Sequence, residues 1–278
     1  MTKGRLQDKV AIVTGSTQGI GEAIAIGYAR EGAKVIVCGR SPEKGLRVTK
    51  EIQDAGGTAH FIQFDLGDEQ SVIDLVKGTI AHFGDLNIVV HNAHPTEHTG
   101  GGHGGLTAKV DNYIGNLTTE AWHKLTLPTF DGMFWVLRES VNALKARGGG
   151  AIITMSSMVS MQGLAAVDIH TATKGAMNAL TRSIAVEYAP YNIRCNTIVV
   201  GLVATAAIAA MVVDPVIGPA LKKTVLTSRV GEPRDFIGPA VFLASDEEAF
   251  FVTGQCLPVD GGMGCIMPIP AIAPTVAE

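Results

Sequence analysis

Short runs rich in Val and Ile alternate with longer stretches in which apolar residues return every three or four positions, as far as about residue 200. The pattern predicts strands at 9–14, 33–38, 58–64, 86–91, 150–155 and 193–199. Between them it predicts helices at 19–31, 42–55, 68–82, 118–146 and 165–188. The strand runs are apolar at successive positions rather than at every second one, as strands covered on both faces require. The expectation is an α/β fold: a single Rossmann-type domain with a doubly wound parallel sheet of about seven strands and helices on both faces. Neither a linker nor a repeat interrupts the pattern. Residues 1–262 therefore read as one domain, followed by an apolar, proline-containing tail at 263–278.

Composition narrows the class. Of 278 residues, 46% are hydrophobic and 17% charged, enough to bury a large core. The formal net charge of −4 leaves no basic surplus for a phosphate backbone, so nucleic acid is not an expected partner. No window approaches the ~18 apolar residues of a membrane span, and the first ten residues carry no leader-like apolar run. A cytoplasmic chain without membrane attachment is expected. Cys38, Cys195, Cys256 and Cys265 are scattered and form no CxxC pair, which suits reduced thiols.

The chemistry begins directly after the first strand, at Thr14-Gly15-Ser16-Thr17-Gln18-Gly19-Ile20-Gly21. Glycines here let the backbone turn sharply and approach a pyrophosphate, while the amides and dipole of the helix N-terminus attract its charge. The order strand, glycines, helix predicts a dinucleotide site. The second strand ends in Cys38-Gly39-Arg40-Ser41. A carboxylate at that tip would bond the ribose 2′-OH of NAD, whereas an arginine receives the 2′-phosphate of NADP. Arg40 favours NADP(H) and leaves NAD(H) open.

With its TGxxxGxG spacing the chain resembles the short-chain dehydrogenase/reductase family over nearly its whole length. Asp65-Leu66 is similar to the family's adenine-contacting position, and Asn92-Ala93 to most of its NNAG motif. Segments 252–255 and 259–262 resemble its closing motifs. The resemblance implies that Gly15, Ser16, Gln18, Gly19, Ile20 and Gly21 hold the cofactor. It also implies that Asn92, Ala93, Gly201, Val203 and Thr205 flank the nicotinamide. In the family a Ser, a Tyr and a Lys act together, the last two as YxxxK on one helix face. Here Lys174 is kept, Ser157 holds the serine position with Ser156 as its adjacent competitor, and the tyrosine position carries His170. Thr129 stands where the family has an asparagine, His94 replaces the last glycine of NNAG, and Val200 replaces a proline before Gly201. The resemblance implies an NADP(H)-linked oxidoreductase that interconverts a carbonyl and a secondary alcohol. An imidazole titrates near ~6.5 and can move protons at neutral pH, so His170 is the candidate acid/base in place of the phenol. Elimination, isomerisation or double-bond reduction on the same scaffold, and dinucleotide binding without turnover, remain open.

Two further segments bear on the substrate. The stretch 94–117 is long, and four of the eight histidines lie between His91 and His103. Their spacing, even with Glu97, matches no recognised ligand pattern, so no metal site is expected. A substrate wall or lid is expected instead, with Tyr113 as a candidate replacement phenol. The alanine-rich stretch 204–225, with Met211, Val212, Val213, Ile217 and Leu221, covers the substrate in the family and implies a hydrophobic one, although core packing explains it as well. The resemblance also implies a homodimer or homotetramer.

Overall fold

A computed structural model describes residues 4–95, 111–205 and 208–265. Seven strands form one parallel sheet: β1 (Val10–Val13), β2 (Lys34–Gly39), β3 (Thr58–Gln63), β4 (Ile88–His91), β5 (Gly150–Ser157), β6 (Ile193–Val200) and β7 (Cys256–Val259). Their order across the sheet is β3-β2-β1-β4-β5-β6-β7, and every pairing is parallel. The sequence thus folds as the doubly wound sheet that its periodicity predicts. The strand order reverses between β1 and β4, which opens a crevice at their carboxyl ends.

The helices are α1 (Gly19–Arg30), α2 (Pro42–Asp54), α3 (Glu69–Phe83), α4 (Thr119–Thr126), α5 (Gly132–Arg147), α6 (Asp168–Tyr188), α7 (Ala209–Val213), α8 (Ile217–Lys222) and α9 (Ile237–Ala244). Successive residues of each strand serve different cores. Ala11, Val13, Val35, Val37 and Ile153 pack on one face with Tyr28 and Phe236. Ile12, Ile36, Cys38, Val89 and Ile152 pack on the other with Met133 and Leu144. Burial pushes the thiols of Cys38 and Cys195 up to about 12, so both stay protonated.

Two expectations are refined. The helical region expected over 118–146 is helical from 119 to 147, with a π-helical turn at Leu127–Asp131 between α4 and α5. Pro128 lacks the amide that would continue the regular ladder, and the backbone widens around it. The helix expected from 165 begins only at Asp168, where Ala166 takes a positive φ of 62° just before it. Helix α9 lies outside the elements that the periodicity predicts. Its sequence IGPAVFLA is apolar all round and carries no amphipathic signal. Arg194 ties this helix to the sheet by donating to the Leu243 carbonyl at 2.7 Å.

Candidate active site

Between β1 and α1 the chain turns on Gly15 and Gly19, whose φ angles of +66° and +63° are left-handed and disfavour any side chain. A Cβ on Gly21 would stand 2.5 Å from both Asn92 Nδ2 and the Gly15 carbonyl oxygen. Only glycine lets α1 start this close to the β4 exit. Thr14 locks the two segments together: its Oγ1 accepts the Asn92 and Ala93 amides, each at 2.9 Å. Asn92 Nδ2 in return donates to the Thr14 and Gly15 carbonyls at 3.0 and 3.2 Å. No side chain caps α1 among the described residues, which leaves its first amides for an anionic ligand.

These residues open on a cavity of about 730 Å³, within the range of small-molecule sites. From the glycine loop, Gly15, Gln18, Gly19 and Ile20 line it. Arg40, Asp65 and Leu66 line the far end, while Asn92, Ala93 and Thr205 close the near end. At Gly19 the space for a Cβ is open, with Thr205 Cγ2 nearest at 4.0 Å. The uncapped amides, the bare glycine face and the cavity's size all fit a dinucleotide.

Besides Lys174, four cofactor candidates are engaged in packing around this surface. Ser16 is buried, with Oγ accepting from the Cys38 amide at 3.0 Å. Gly21 is packed against Asn92 as described. Gly201 meets Asp260, where a Cβ would come within 2.4 Å of its Cα, and Val203 is buried beside Gly231. None of these four lines the cavity. Conversely, Thr17, His94, Lys124 and Pro128 line it without being among the sequence candidates. At the β2 tip a Cβ on Gly39 would stand 2.7 Å from Thr17 Cγ2, so the tip is closed to a carboxylate-bearing residue unless Thr17 moves. Ser41 caps α2, accepting from the Lys44 amide at 3.4 Å, and Lys44 Nζ donates to Gln18 Oε1 at 3.1 Å.

The other half of the site is built on α6 and the end of β5. Lys174 is buried, its Nζ donating to the Met155 carbonyl at 2.8 Å, and burial lowers its pKa to about 8. Ser156 Oγ donates to the Lys174 carbonyl at 3.0 Å, which makes it a fastening of the helix to the strand. Ser157, the last residue of β5, points the other way and accepts from the Val159 amide at 3.4 Å. Among the described residues Ser157 Oγ makes no hydrogen bond to His170 or Lys174.

One turn before Lys174, His170 Nδ1 lies 3.0 Å from His94 Nε2. Burial and the Lys174 ammonium push the His170 imidazole down to about 3 and hold His94 well below the usual range, with His170 and His91 adding to the effect on His94. His91, buried at the end of β4, is likewise pushed down to about 3 by burial and Lys174. Its Nδ1 has no hydrogen-bond partner among the described residues. Asp111, buried and ahead of α4 in the sequence, packs against the start of α6 and accepts from the Ile169 amide at 3.1 Å and the His170 amide at 2.9 Å. It fixes the first turn of α6, a role its position in the sequence does not signal.

Thr129 sits in the π-helical turn, buried, with Oγ1 donating to the Leu125 carbonyl at 2.6 Å and 3.3 Å from Thr173 Oγ1. It therefore faces the residue before Lys174 and not the lysine amine. Tyr113 is exposed, and among the described residues its hydroxyl bonds to neither His170 nor Lys174. Glu97, His98 and His103, most of the stretch 94–117, and the tail beyond 265 lie outside the described residues. Among those described, no group of three or more His, Cys, Asp or Glu side chains is placed to hold a metal ion. No helix among them is long and apolar enough to cross a membrane. In the stretch 204–225, Ile208, Leu221 and Val225 are buried while Val213 and Val216 are exposed.

Comparison with known proteins agrees with this architecture. Residues 15–264 match the family model described as enoyl-(acyl carrier protein) reductase. The NADP-dependent (R)-specific alcohol dehydrogenase of Lentilactobacillus kefiri is 36% identical over 263 residues, covering 93% of this chain and 97% of that protein. The L-rhamnose 1-dehydrogenase (NAD(P)(+)) of Azotobacter vinelandii is 34% identical, with the same coverage of 93% and 97%. Among solved structures, the gluconate 5-dehydrogenase of Burkholderia cenocepacia in complex with NADP and tartrate superposes with a TM-score of 0.84 at 30% identity. That match covers 95% of this chain and 98% of the other. A probable short-chain type dehydrogenase/reductase of Bradyrhizobium diazoefficiens is 35% identical over 260 residues, 94% of this chain and 89% of that protein. The chain belongs to the short-chain dehydrogenase/reductase family and is an NAD(P)-dependent oxidoreductase.

Proposed function

We propose that the protein interconverts a hydrophobic carbonyl and its secondary alcohol with NADP(H), using His170 as the acid/base. The observation that carries this reading is His170 itself, one helical turn before buried Lys174, with one ring nitrogen already engaged by His94. The other nitrogen, Nε2, is then the one that exchanges a proton with the substrate oxygen. A bound nicotinamide dinucleotide would supply or accept the hydride. Ser157 would hold the substrate oxygen and Lys174 the ribose, while Asn92 keeps the glycine loop in place beside the nicotinamide and Thr205 closes over it. Thr129 acts on this arrangement through Thr173. Arg40 at the cavity's far end and the closed tip at Gly39 support NADP(H) over NAD(H). The apolar helices α7 and α8 support a hydrophobic substrate. In the same reading the catalytic domain ends near residue 262 and the protein works as a homodimer or homotetramer in the cytoplasm.

The test is fluorescence titration with NADPH and NADH, followed by turnover of a panel of aryl and alicyclic ketones and alcohols. NADPH is expected to bind more tightly, and His170→Ala to lose about 100-fold or more in kcat. Undiminished turnover by His170→Ala overturns the assignment. A second reading, reduction of a carbon–carbon double bond, is favoured by the description of the matching family model. Oxidation of NADPH by an enoyl thioester, with none by the ketone panel, would select it.

A further inference from the structure

His94 and His170 are both departures from the family's pattern, and they are in contact. His94 leaves the end of β4 and lines the cofactor cavity, while His170 lies in the first turn of α6. Their facing nitrogens, His170 Nδ1 and His94 Nε2, are 3.0 Å apart, a hydrogen-bond distance with room for one proton. Neither ring has a carboxylate partner among the described residues. The charged group that faces the pair from α6 is Lys174, and β4 adds the buried imidazole of His91. This environment disfavours a lasting imidazolium on either ring.

The pair has two neutral arrangements, interconverted when the shared proton crosses as one proton enters at His170 Nε2 and another leaves at His94 Nδ1. When His170 carries the proton on Nδ1 and donates to His94 Nε2, His94 holds its own on Nδ1. His170 Nε2 is then bare and can act as a base. When His94 donates from Nε2 to His170 Nδ1, His170 carries its proton on Nε2 and can act as an acid, and His94 Nδ1 is bare. We propose that the pair is a proton relay in which His94 is the second station, carrying protons between His170 and the cofactor cavity. The inference rests on the reading of His170 as the acid/base.

In alcohol oxidation the substrate O–H gives its proton to His170 Nε2. The Nδ1–H bond of His170 breaks as an N–H bond forms at His94 Nε2, and His94 Nδ1 releases its proton to water in the cavity. Bonds made and broken balance, one proton travels from substrate to solvent, and both rings end neutral. Reduction runs the same path backwards. The arrangement answers the difficulty that burial creates: a lone buried imidazole would have to keep the substrate's proton as an unfavourable cation.

The first test needs neither cofactor nor substrate. Long-range ¹H–¹⁵N spectra of the ¹⁵N-histidine-labelled protein report the protonation of each ring nitrogen. His170 Nδ1 and His94 Nε2 are expected at shifts between those of bare and protonated nitrogen, because both tautomer pairs are populated. His94→Gln keeps a donor near the Nε2 position and is expected to lock His170 in its Nε2–H tautomer. Identical His170 signals in wild type, His94→Gly and His94→Gln overturn the relay.

The second test is kinetic, on a ketone that the wild type reduces. His94→Gly is expected to lose about 100-fold in kcat, to keep its NADPH affinity, and to regain activity when imidazole is added. Undiminished kcat in His94→Gly, while His170→Ala is inactive, overturns the relay and leaves the reading of His170 intact. Full activity in His170→Ala overturns that parent reading. Stoichiometric uptake of Zn²⁺, with the nitrogens of both rings shifting together, would make the pair metal ligands and overturn the relay as well.

Discussion

The rings of His94 and His170 meet edge to face, their centres 4.8 Å apart and their planes inclined by 61°. They come from positions 76 residues apart, and in the proposed reading each fills a place where the family's pattern has a different residue. Their contact couples the two positions. A tyrosine at position 170 drives a longer side chain toward His94, while glycine at 94 removes the obstacle. The expected outcome is that His170→Tyr destabilises the protein and that His94→Gly added to it restores part of the loss. A coupling energy of about 1 kcal/mol or more in a double-mutant cycle is expected from urea denaturation. Additivity would show that the two sites changed independently.

Cofactor choice should respond to Arg40. Charge-assisted hydrogen bonds to a phosphate are worth more than neutral ones, so Arg40→Ala is expected to weaken NADPH binding by about 10- to 100-fold. NADH binding should change little. The two dissociation constants, measured by nicotinamide fluorescence, check this.

Acid should destabilise the fold through His91. Unfolded, its imidazole takes up a proton near the ordinary value of 6.5, whereas in the folded protein it does so only at about 3. Stability is therefore full above the unfolded value and is lost as pH falls through the window between the two. For this residue alone the loss is about 2 kcal/mol by about pH 5. His170, lowered to about 3, acts in the same direction. Thermal melts between about pH 7 and about pH 5 should show a smaller decline in His91→Leu than in the wild type.

Asp111 anchors the turn that carries His170 and is expected to matter in two ways. Asp111→Ala removes the acceptor for two α6 amides and should lower stability by about 1 kcal/mol, as for other lost helix caps. It should also lower kcat more than it raises KM, because His170 loses its fixed orientation. Asp111→Asn, which keeps one carbonyl acceptor, should recover part of both losses. Equal effects of the two variants on kcat and KM would reduce Asp111 to a structural cap.

The sheet and the dinucleotide loop were legible in the sequence because local signals carry them. Two-faced apolar strands, and glycines between a strand and a helix, predicted β1 through β6 and the turn at Gly15 and Gly19. The π-helical turn was not legible, since Pro128 marks a disturbance without saying which way the backbone yields. Helix α9 escaped because uniform apolarity has no period. At the site, single positions could be matched to the family's pattern, but the meeting of His94 with His170 is a tertiary contact between the segment after β4 and α6. So is the role of Asp111. Ser16, Gly21 and Gly201, expected at the cofactor, do not line the cavity, since glycine and serine serve backbone packing as readily as ligands.

Thr14 joins the two halves of the site, since one hydroxyl receives the amides of the segment leading to His94 while its own backbone begins the phosphate loop. Any shift of the segment leading to His94 acts on the same pin that holds the glycine loop. By thermodynamic reciprocity, whatever substrate does to cofactor affinity, cofactor must do equally to substrate affinity. Any such coupling passes through a single threonine, whose hydroxyl and backbone hold both segments.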